Sequence, residues 1–204
     1  LSLAERLDLS RPTIRRAIAE LVSRGLLIRR RGVGTTVANK AIHRKAELTS
    51  LYEDLVLSGR VPHTQVLRFE VGTVDTRAAE KLGLPADTSL TFIERLRSTD
   101  GIPMALLRNW IPETPGVQVS IDALTSRGLY DVLRESGIRP AIGHQMIGAR
   151  HPTARERKLL DLRSGDPLLT MSRTAFDASG KPVEFGDHCY RYDQYFFDIT
   201  VHEH

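Results

Sequence analysis

The sequence has very little cysteine and no long apolar run. Cys189 is the single cysteine among 204 residues, so no intrachain disulfide can form. The absence of a CxxC pair excludes a zinc ribbon, and one cysteine fits a reducing cytoplasm. Nowhere do about 18 consecutive apolar residues occur, and no charged segment precedes an apolar stretch at the start. We therefore expect neither a membrane span nor a secretory signal.

Catalytic and metal-binding motifs are also missing. The sequence contains no G-x-x-x-x-G-K-[ST], no H-E-x-x-H and no G-x-S-x-G. Of the seven histidines only His202 and His204 cluster, where a solvated tail is more typical than a metal site. Cys189 follows His188 in a strand-like run, which favours a structural thiol over a nucleophile. We expect no catalytic residue, no metal and no cofactor.

Charge is distributed unevenly along the chain. Residues 1–45 carry eleven Lys or Arg against three acids, a local charge of +8, whereas the whole chain carries +4. The other 159 residues are therefore mildly acidic, at −4. A short basic module joined to an acidic remainder of the chain indicates that the basic module binds a polyanion. The alternative is a solvated basic surface, and the pattern of the residues has to decide.

That pattern predicts a helix-turn-helix. Ser10 is a suitable N-cap, Pro12 fits a first helical turn and Gly25 a helix end, so we expect a helix over residues 11–24. Residues 4–7 are typical of the end of a preceding helix, and residues 8–10 of the turn between the two. The helix should bury one apolar stripe made of Ile14, Ala17, Ile18, Leu21 and Val22.

A two-stranded wing is expected after this helix. Residues 26–28 and 35–37 are β-prone, and residues 31–34 can turn between them, with arginines 29–31 at the tip. A helix amino terminus offers N–H groups to phosphate, Thr13 adds a hydroxyl, and Arg11 and Arg15 can reach guanine in the major groove. The combination favours DNA binding over a helical interaction module with incidental charge.

The rest of the chain predicts an α+β domain. We expect a linker over residues 39–47, which separates a DNA-binding domain at 1–38 from a larger domain at 48–204. A short helix should end at residues 58–59. Strands are predicted at 65–74, 89–97, 104–111, 141–149, 168–177, 183–192 and 195–201, and helices at 76–84, 129–136 and 153–162. Hairpin turns at 99–101 and 178–180 indicate an antiparallel sheet with helices on it.

Two arginines in this domain are candidate ligand-binding residues. Arg95 and Arg97 are two residues apart on one strand, so they share a face and can hold a phosphate or carboxylate. A solvent-facing row is the alternative. Glu184, between Val183 and Phe185, is either a hydroxyl acceptor or an exposed strand acid. Periodicity does not distinguish the alternatives for the two arginines or those for Glu184.

The amino-terminal segment LAERLDLSRPTIRRAIAELVSRGLLIRRRGVGTTVA resembles the later two-thirds of the winged helix-turn-helix of GntR-type bacterial transcription regulators. Its S-R-x-T-x-R, E-L-x-x-x-G-L and R-x-G-x-G-T elements match, and the first helix of that domain is missing. The resemblance implies that operator DNA is contacted by Arg11, Thr13 and Arg15, with Gly34 at the wing. Arg16 and Gly32 are further candidates for DNA contact, from the helix and the wing themselves. Arg16 stands where the family more usually has Gln.

The segments ERLRSTDGIPMALLRNWIP, GLYDVLRESGI and GKPVEFGDHCYRYDQYFF resemble the UTRA domain of the HutC subfamily of these regulators. The resemblance implies a chorismate-lyase-like antiparallel sheet with flanking helices that binds small, mostly anionic metabolites without chemistry. The implied effector-binding residues are Arg95, Arg97, Tyr130, Glu184 and Tyr190. Leu107 stands where many relatives have Glu, which favours a smaller or less polar anion than a sugar phosphate.

We expect a cytoplasmic repressor that binds double-stranded operator DNA as a homodimer and responds to a small anionic effector. Two recognition helices one DNA turn apart match a palindromic operator, and the dimer contact is expected in the larger domain. The first alternative is an enzyme of chorismate-lyase-like fold fused to a DNA-binding module. The second is an architectural DNA binder, in which Arg95 and Arg97 hold no ligand.

Overall fold

The computed structural model describes residues 3–23, 27–30, 34–37, 42–44, 48–117 and 119–197. The chain forms two compact units, residues 1–41 and residues 42–204. Across the described ranges, no helix is both long and apolar enough to span a bilayer. His202 and His204 lie outside the described residues.

The smaller unit contains two helices and a hairpin: α1 (Leu3–Leu7), α2 (Arg11–Ser23), β1 (Leu27–Arg30) and β2 (Gly34–Val37). Ser10 caps α2 as the sequence predicts, since its Oγ accepts a hydrogen bond from the backbone N–H of Thr13 at 3.2 Å. The strands pair antiparallel up to the pair of Arg30 with Gly34. Arg29 and Arg30 are the last residues of β1, while residues 31–33 lie outside the described part.

The apolar stripe of α2 is covered less than the sequence predicts. Ile14 and Ile18 are half-buried, and Ala17 is exposed. Ala17 lies at one edge of the stripe, and a unit of 41 residues has little surface with which to cover it. The prediction that Ala17 is buried is therefore wrong.

A six-stranded antiparallel sheet forms the centre of the larger unit, as the α+β prediction requires. Its strands are β4 (Pro62–Thr73), β5 (Leu90–Thr99), β6 (Ile102–Pro112), β7 (Ile142–Arg150), β8 (Leu168–Phe176) and β9 (Pro182–Arg191), in the order β4-β5-β6-β9-β8-β7. Asp100 and Gly101 have φ of 53° and 75°, the left-handed conformation that a tight turn between β5 and β6 requires.

Five short helices pack on this sheet: α3 (Leu51–Leu57), α4 (Thr76–Leu82), α5 (Ile121–Ser126), α6 (Leu129–Glu135) and α7 (Ala154–Leu159). Asp75 and Thr153 cap α4 and α7 at the positions that the sequence indicates. Helix α5 was not predicted. It has six residues and buries only Leu124, too little for a periodic signal.

The two faces of the sheet are covered by different helices. On one face, Leu51 and Leu55 of α3 pack near Leu107 and Tyr190, and α5 and α6 pack over Ile93 and Ala175. On the other face, α4 packs on Phe92, Trp110 and Phe185, and the chain after α7 packs on Cys189. The first face contains Arg95 and Arg97, so the position of α3 and α6 determines what surrounds them.

A small parallel pair joins the two ends of the larger unit. Strand β3 (Ile42–Arg44) pairs with β10 (Tyr195–Phe197). The sequence predicts a linker over residues 39–47, and β3 corrects that prediction. Three residues do not show a strand period of their own, and the pairing depends on β10, which is about 150 residues away in the chain.

An ion-pair network lies on the α4 and α7 face. Buried Glu94 accepts hydrogen bonds from Arg108 and Arg155, and buried Glu156 accepts them from Arg108 and Arg150, at 2.6 to 3.1 Å. The Arg150 hydrogen bonds hold the pKa of Glu156 well below its usual range. Burial alone would raise the pKa of Glu94, but the hydrogen bonds from Arg155 and Arg108 outweigh it, so that pKa is lowered.

We predict that Glu156→Gln destabilises the protein, because Arg108 and Arg150 lose a buried counter-charge. The loss should be about 2–3 kcal/mol at pH 7, with Glu70→Gln, in an exposed pair, as a control below about 1 kcal/mol. Because the folded pKa is lowered, this stabilisation is present above the unfolded pKa of about 4.3 and lost as pH falls further. Urea unfolding of wild type and variant should therefore converge in acid; a constant difference from pH 7 to pH 3 would contradict the assignment.

Candidate functional site

A narrow cavity of about 20 Å³ opens on the sheet face covered by α3 and α6. It is lined by residues of four strands and by the starts of two helices: Ser50, Leu51, Tyr52, Arg95, Arg97, Leu107, Asn109, Leu129, Tyr130, Arg173, His188 and Tyr190. Four of the five predicted effector-binding residues are in this set. The fifth, Glu184, lies directly beneath it.

Arg95 and Arg97 are buried, with 3% and 1% of their surface exposed. The alternative of a solvent-facing row is therefore wrong. Arg95 Nη2 donates to Asn109 Oδ1 at 2.8 Å, Arg97 Nη1 donates to Thr64 Oγ1, and the Arg97 guanidinium lies 5.0 Å from the centre of the Tyr52 ring. The Nε atoms of both arginines have no hydrogen-bond partner among the described residues.

Burial changes the acidity of both guanidinium groups. It lowers the pKa of Arg95 to about 10, although the nearby Glu184 and Tyr190 counteract it. It lowers the pKa of Arg97 to about 9, and the positive charge of Arg95 contributes to that decrease. Both side chains stay protonated near neutral pH, so the cavity contains two adjacent positive charges.

Glu184 is fully buried and is a hydrogen-bond acceptor, so the alternative of an exposed strand acid is wrong. Asn109 Nδ2 donates to its Oε1 at 2.5 Å, and the Tyr130 hydroxyl donates to its Oε2 at 3.0 Å. Burial raises the pKa of Glu184, opposed first by the charge of Arg173. A continuous chain of hydrogen bonds therefore connects Arg95 to Tyr130 through Asn109 and Glu184.

Tyr190 forms one wall of the cavity. Its ring stacks on Tyr195 of β10 with centroids 4.3 Å apart and meets the His188 ring edge-on at 6.3 Å. The stack fixes the orientation of Tyr190, so its position depends on the pairing of β10 with β3.

Leu107 lies at the middle of the cavity floor. It pairs in register with Arg95 on one side and with His188 on the other, and it is buried. An apolar side chain at this point offers no hydrogen bond to a ligand hydroxyl group. The structure thus places the substitution noted in the sequence between the arginine pair and the rest of the site.

Asn109, Arg173 and His188 are cavity residues that the sequence analysis missed. Arg173 and Asn109 flank Gly186 in register, and all three positions face the cavity. The signal for Arg173 was available, because it alternates with buried Met171 and Ala175 on β8. Asn109 alternates in the same way with buried Leu107 and Ile111 on β6, but its role depends on Glu184, 75 residues away.

Gly186 makes room for the polar groups around it. A Cβ atom added there would collide with Nε2 of His188 and would lie 2.7 Å from Oε1 of Glu184. Both side chains thus occupy the space above the glycine. The absence of a side chain at Gly186 allows Glu184 and His188 to lie together below the cavity.

The smaller unit exposes the residues expected to contact DNA. Arg11, Thr13, Arg15 and Arg16 of α2 are all exposed. The Thr13 hydroxyl also lies 2.7 Å from Ser10 Oγ at the helix start. Gly34 begins β2, while Gly32 lies outside the described residues.

The fold and the site define a class: a winged helix-turn-helix module joined to an α+β domain with a buried cationic cavity. Residues 57–195 match the UTRA domain, and residues 1–37 match the bacterial regulatory proteins of the gntR family. The chain belongs to the GntR family of bacterial regulators, in the HutC-type group that carries a UTRA domain, and it is a DNA-binding transcription regulator.

Named relatives agree with this assignment. The HTH-type transcriptional repressor NagR of Bacillus subtilis is 30% identical over 196 residues, which are 95% of this chain and 80% of NagR. The HTH-type transcriptional regulator GgaR of Escherichia coli is 28% identical over 196 residues, 96% of this chain and 77% of GgaR. The crystal structure of PhnF from Mycobacterium smegmatis superposes with a TM-score of 0.76 at 27% identity, covering 98% of this chain and 88% of PhnF.

We predict that Gly186→Ala destabilises the larger unit by about 1–3 kcal/mol, because Glu184 and His188 must move to admit the methyl group. Chemical unfolding measures the loss. Gly148→Ala on β7 is the matched control, since its Cβ would approach only Thr170 Oγ1, at 3.2 Å, and should cost less. Equal losses for the two variants would show that the space above Gly186 is not filled as described.

Proposed function

We propose that this regulator is a repressor that leaves its operator when a small anionic metabolite occupies the cavity at Arg95 and Arg97. The single observation that carries the proposal is the burial of two adjacent guanidiniums that form no ion pair with a carboxylate among the described residues. Burying uncompensated charge is costly, so a site of this kind is completed by an anion. A phosphate or carboxylate can take bidentate hydrogen bonds from such a pair.

Tyr130, Glu184 and Tyr190 are proposed to position the rest of the effector. Tyr130 and Tyr190 line the cavity, and Glu184 reaches it through the Tyr130 hydroxyl. Leu107 supports the choice of a compact anion over an amino-sugar phosphate, because it leaves no acceptor between Arg95 and His188 for sugar hydroxyls.

The DNA contacts are assigned to α2 and the wing. Arg11 and Arg15 are proposed to read base edges, Thr13 and Arg16 to contact phosphates, and Gly32 and Gly34 to let the wing backbone approach the duplex. The exposure of these four α2 side chains and the +8 charge of residues 1–45 support the assignment. We also propose a DNA-binding domain at 1–38 and a larger domain that begins at β3 instead of at residue 48, because β3 pairs with β10.

A homodimer acting in the cytoplasm fits this function. A palindromic operator requires two recognition helices about one DNA turn apart, roughly 34 Å. The larger domain is the proposed site of the dimer contact. The relatives NagR and GgaR are named as transcriptional regulators, so the comparisons give no support to the enzyme alternative.

Operator binding should depend on Arg11 and Arg15. In full-length protein, Arg11→Ala and Arg15→Ala should each weaken binding to an operator selected from random duplexes by about 1–3 kcal/mol. Wild-type affinity should fall linearly on a plot of log K against log salt, because phosphate contacts release counterions. Fluorescence anisotropy titrations measure both effects, with Arg68→Ala in the larger unit as control. A flat salt response, or unchanged binding by the double variant, would count against the proposal.

The effector should depend on Arg95 and Arg97. A thermal-shift panel of sugar phosphates, carboxylates and inorganic phosphate should contain a stabiliser whose effect disappears in Arg95→Gln and Arg97→Gln but persists in Arg68→Gln. By linkage, that ligand should lower operator affinity about 5–150-fold in the wild type, and the operator should lower ligand affinity by the same factor. Both cavity variants should still bind operator but no longer release it. A ligand that stabilises both variants as much as it stabilises the wild type would refute the assignment.

A further inference from the structure

A third buried arginine lines the cavity on the side away from Arg95 and Arg97. Arg173 of β8 is 5% exposed, and its guanidinium lies 4.8 Å from the centre of the Tyr130 ring. Its Nη1 donates a long hydrogen bond of 3.3 Å to the backbone carbonyl of Thr49, and its Nε has no partner among the described residues. No carboxylate in the described part of the chain forms an ion pair with it, so Arg173 has unused capacity to bind an anion.

Arg173 and the Arg95 pair approach the cavity from opposite sides. Strands β5, β6, β9 and β8 are consecutive neighbours in the sheet, so Arg95 and Arg173 are separated by three strand spacings. At about 4.8 Å per spacing, their backbones are roughly 14 Å apart across the sheet. Both are long side chains that line the same cavity, so a molecule bound there would contact both guanidinium groups.

The charges of the cavity do not balance. Arg95, Arg97 and Arg173 bring three positive charges, and Glu184, which accepts hydrogen bonds from the cavity residues Asn109 and Tyr130, brings one negative charge. Glu184 interacts with Arg173 through its charge but forms no ion pair with it, and it offsets only one of the three positive charges. A single anionic ligand group at Arg95 and Arg97 therefore still leaves one positive charge, at the Arg173 end of the cavity. A second anionic group on the same ligand would restore the balance.

Apolar side chains line the cavity beside the polar Asn109 and His188. Leu107 forms the floor and Leu129 a wall, and both are buried side chains that line the cavity. A ligand that joins its two charged ends by a short apolar segment matches this surface, whereas a chain of hydroxyl groups leaves its hydrogen bonds unmade.

We propose that the effector is a compact molecule with two anionic groups separated by a short apolar segment, one group held by Arg95 and Arg97 and the other by Arg173. This inference rests on the proposed function and narrows it: Arg173 is a specificity-determining residue that selects dianionic ligands over singly anionic ones. Tyr130 fixes the direction of Arg173 through the contact of its ring with the guanidinium.

The test compares ligands that differ only in the second anionic group. The probes are succinate with butyrate, glutarate with valerate, adipate with hexanoate, and phosphoglycolate with ethyl phosphate. Dissociation constants are measured by calorimetry on full-length wild type, Arg173→Gln, Arg173→Lys, Arg95→Gln and the exposed control Arg68→Gln. The readout is the ratio of the dissociation constants of the two probes in a pair, measured on the same variant. A general loss of stability does not change this ratio.

In the wild type and in Arg68→Gln, at least one doubly anionic probe should bind about 10–100-fold more tightly than its partner, the usual range for a hydrogen bond to a charged group. In Arg173→Gln that ratio should fall to near one while the singly anionic probe keeps its affinity. Arg173→Lys should retain part of the preference, since it keeps the charge but not the planar fork. Arg95→Gln should weaken both members of the pair.

Two outcomes separate this inference from the proposed function. If singly anionic probes bind through Arg95 but no pair shows a preference for two charges, or if Arg173→Gln leaves the preference intact, the inference about Arg173 is overturned and the proposed function stands. If none of the probes binds the wild type, or if a probe that releases operator from the wild type releases it equally from Arg95→Gln, the proposed function itself fails.

Discussion

Arg95 and Arg97 carry positive charge into the middle of an antiparallel sheet where the described residues supply no carboxylate partner to either. The surroundings compensate that cost only in part, through Asn109, the hydroxyl of Thr64 and the ring of Tyr52. Each of these partners is neutral, and each lies on a different element. The cavity therefore remains positively charged, and this charge determines which ligands the domain can bind.

On the opposite face of the same sheet, the buried charges form ion pairs. Arg108 alternates with Leu107 and Asn109 on β6, so it points away from the cavity, and there it bonds to both Glu94 and Glu156. The pairing is complete on that face, and it joins α7 to the sheet. One strand thus contributes a structural ion pair to one side and cavity-lining residues to the other, and the alternation of strand side chains keeps the two apart.

The sequence predicted the six strands and most of the helices, because hydrophobic alternation and capping residues such as Asp75 and Thr153 are local signals. It could not decide which way Arg95 and Arg97 face, since a period of two shows that they share a face but not which face is covered. Helix α3 covers that face, and its position is a tertiary property. The short strand β3 and the role of Asn109 were missed for the same reason, as both depend on distant partners. The assignment of effector-binding residues came from the resemblance, and the geometry now supplies a physical reason for it.

The space above Gly186 has a consequence for building sensors on this domain. Glu184 and His188 fill that space, so a side chain at Gly186 has to displace both, and libraries that vary this position would mostly yield less stable proteins. Leu107 belongs to the next cavity-facing pair of β6 and β9, and its own side chain faces the cavity. Recognition can therefore be altered at one floor position while its neighbour stays fixed, which separates the part of the domain that can be re-engineered from the part that holds it folded.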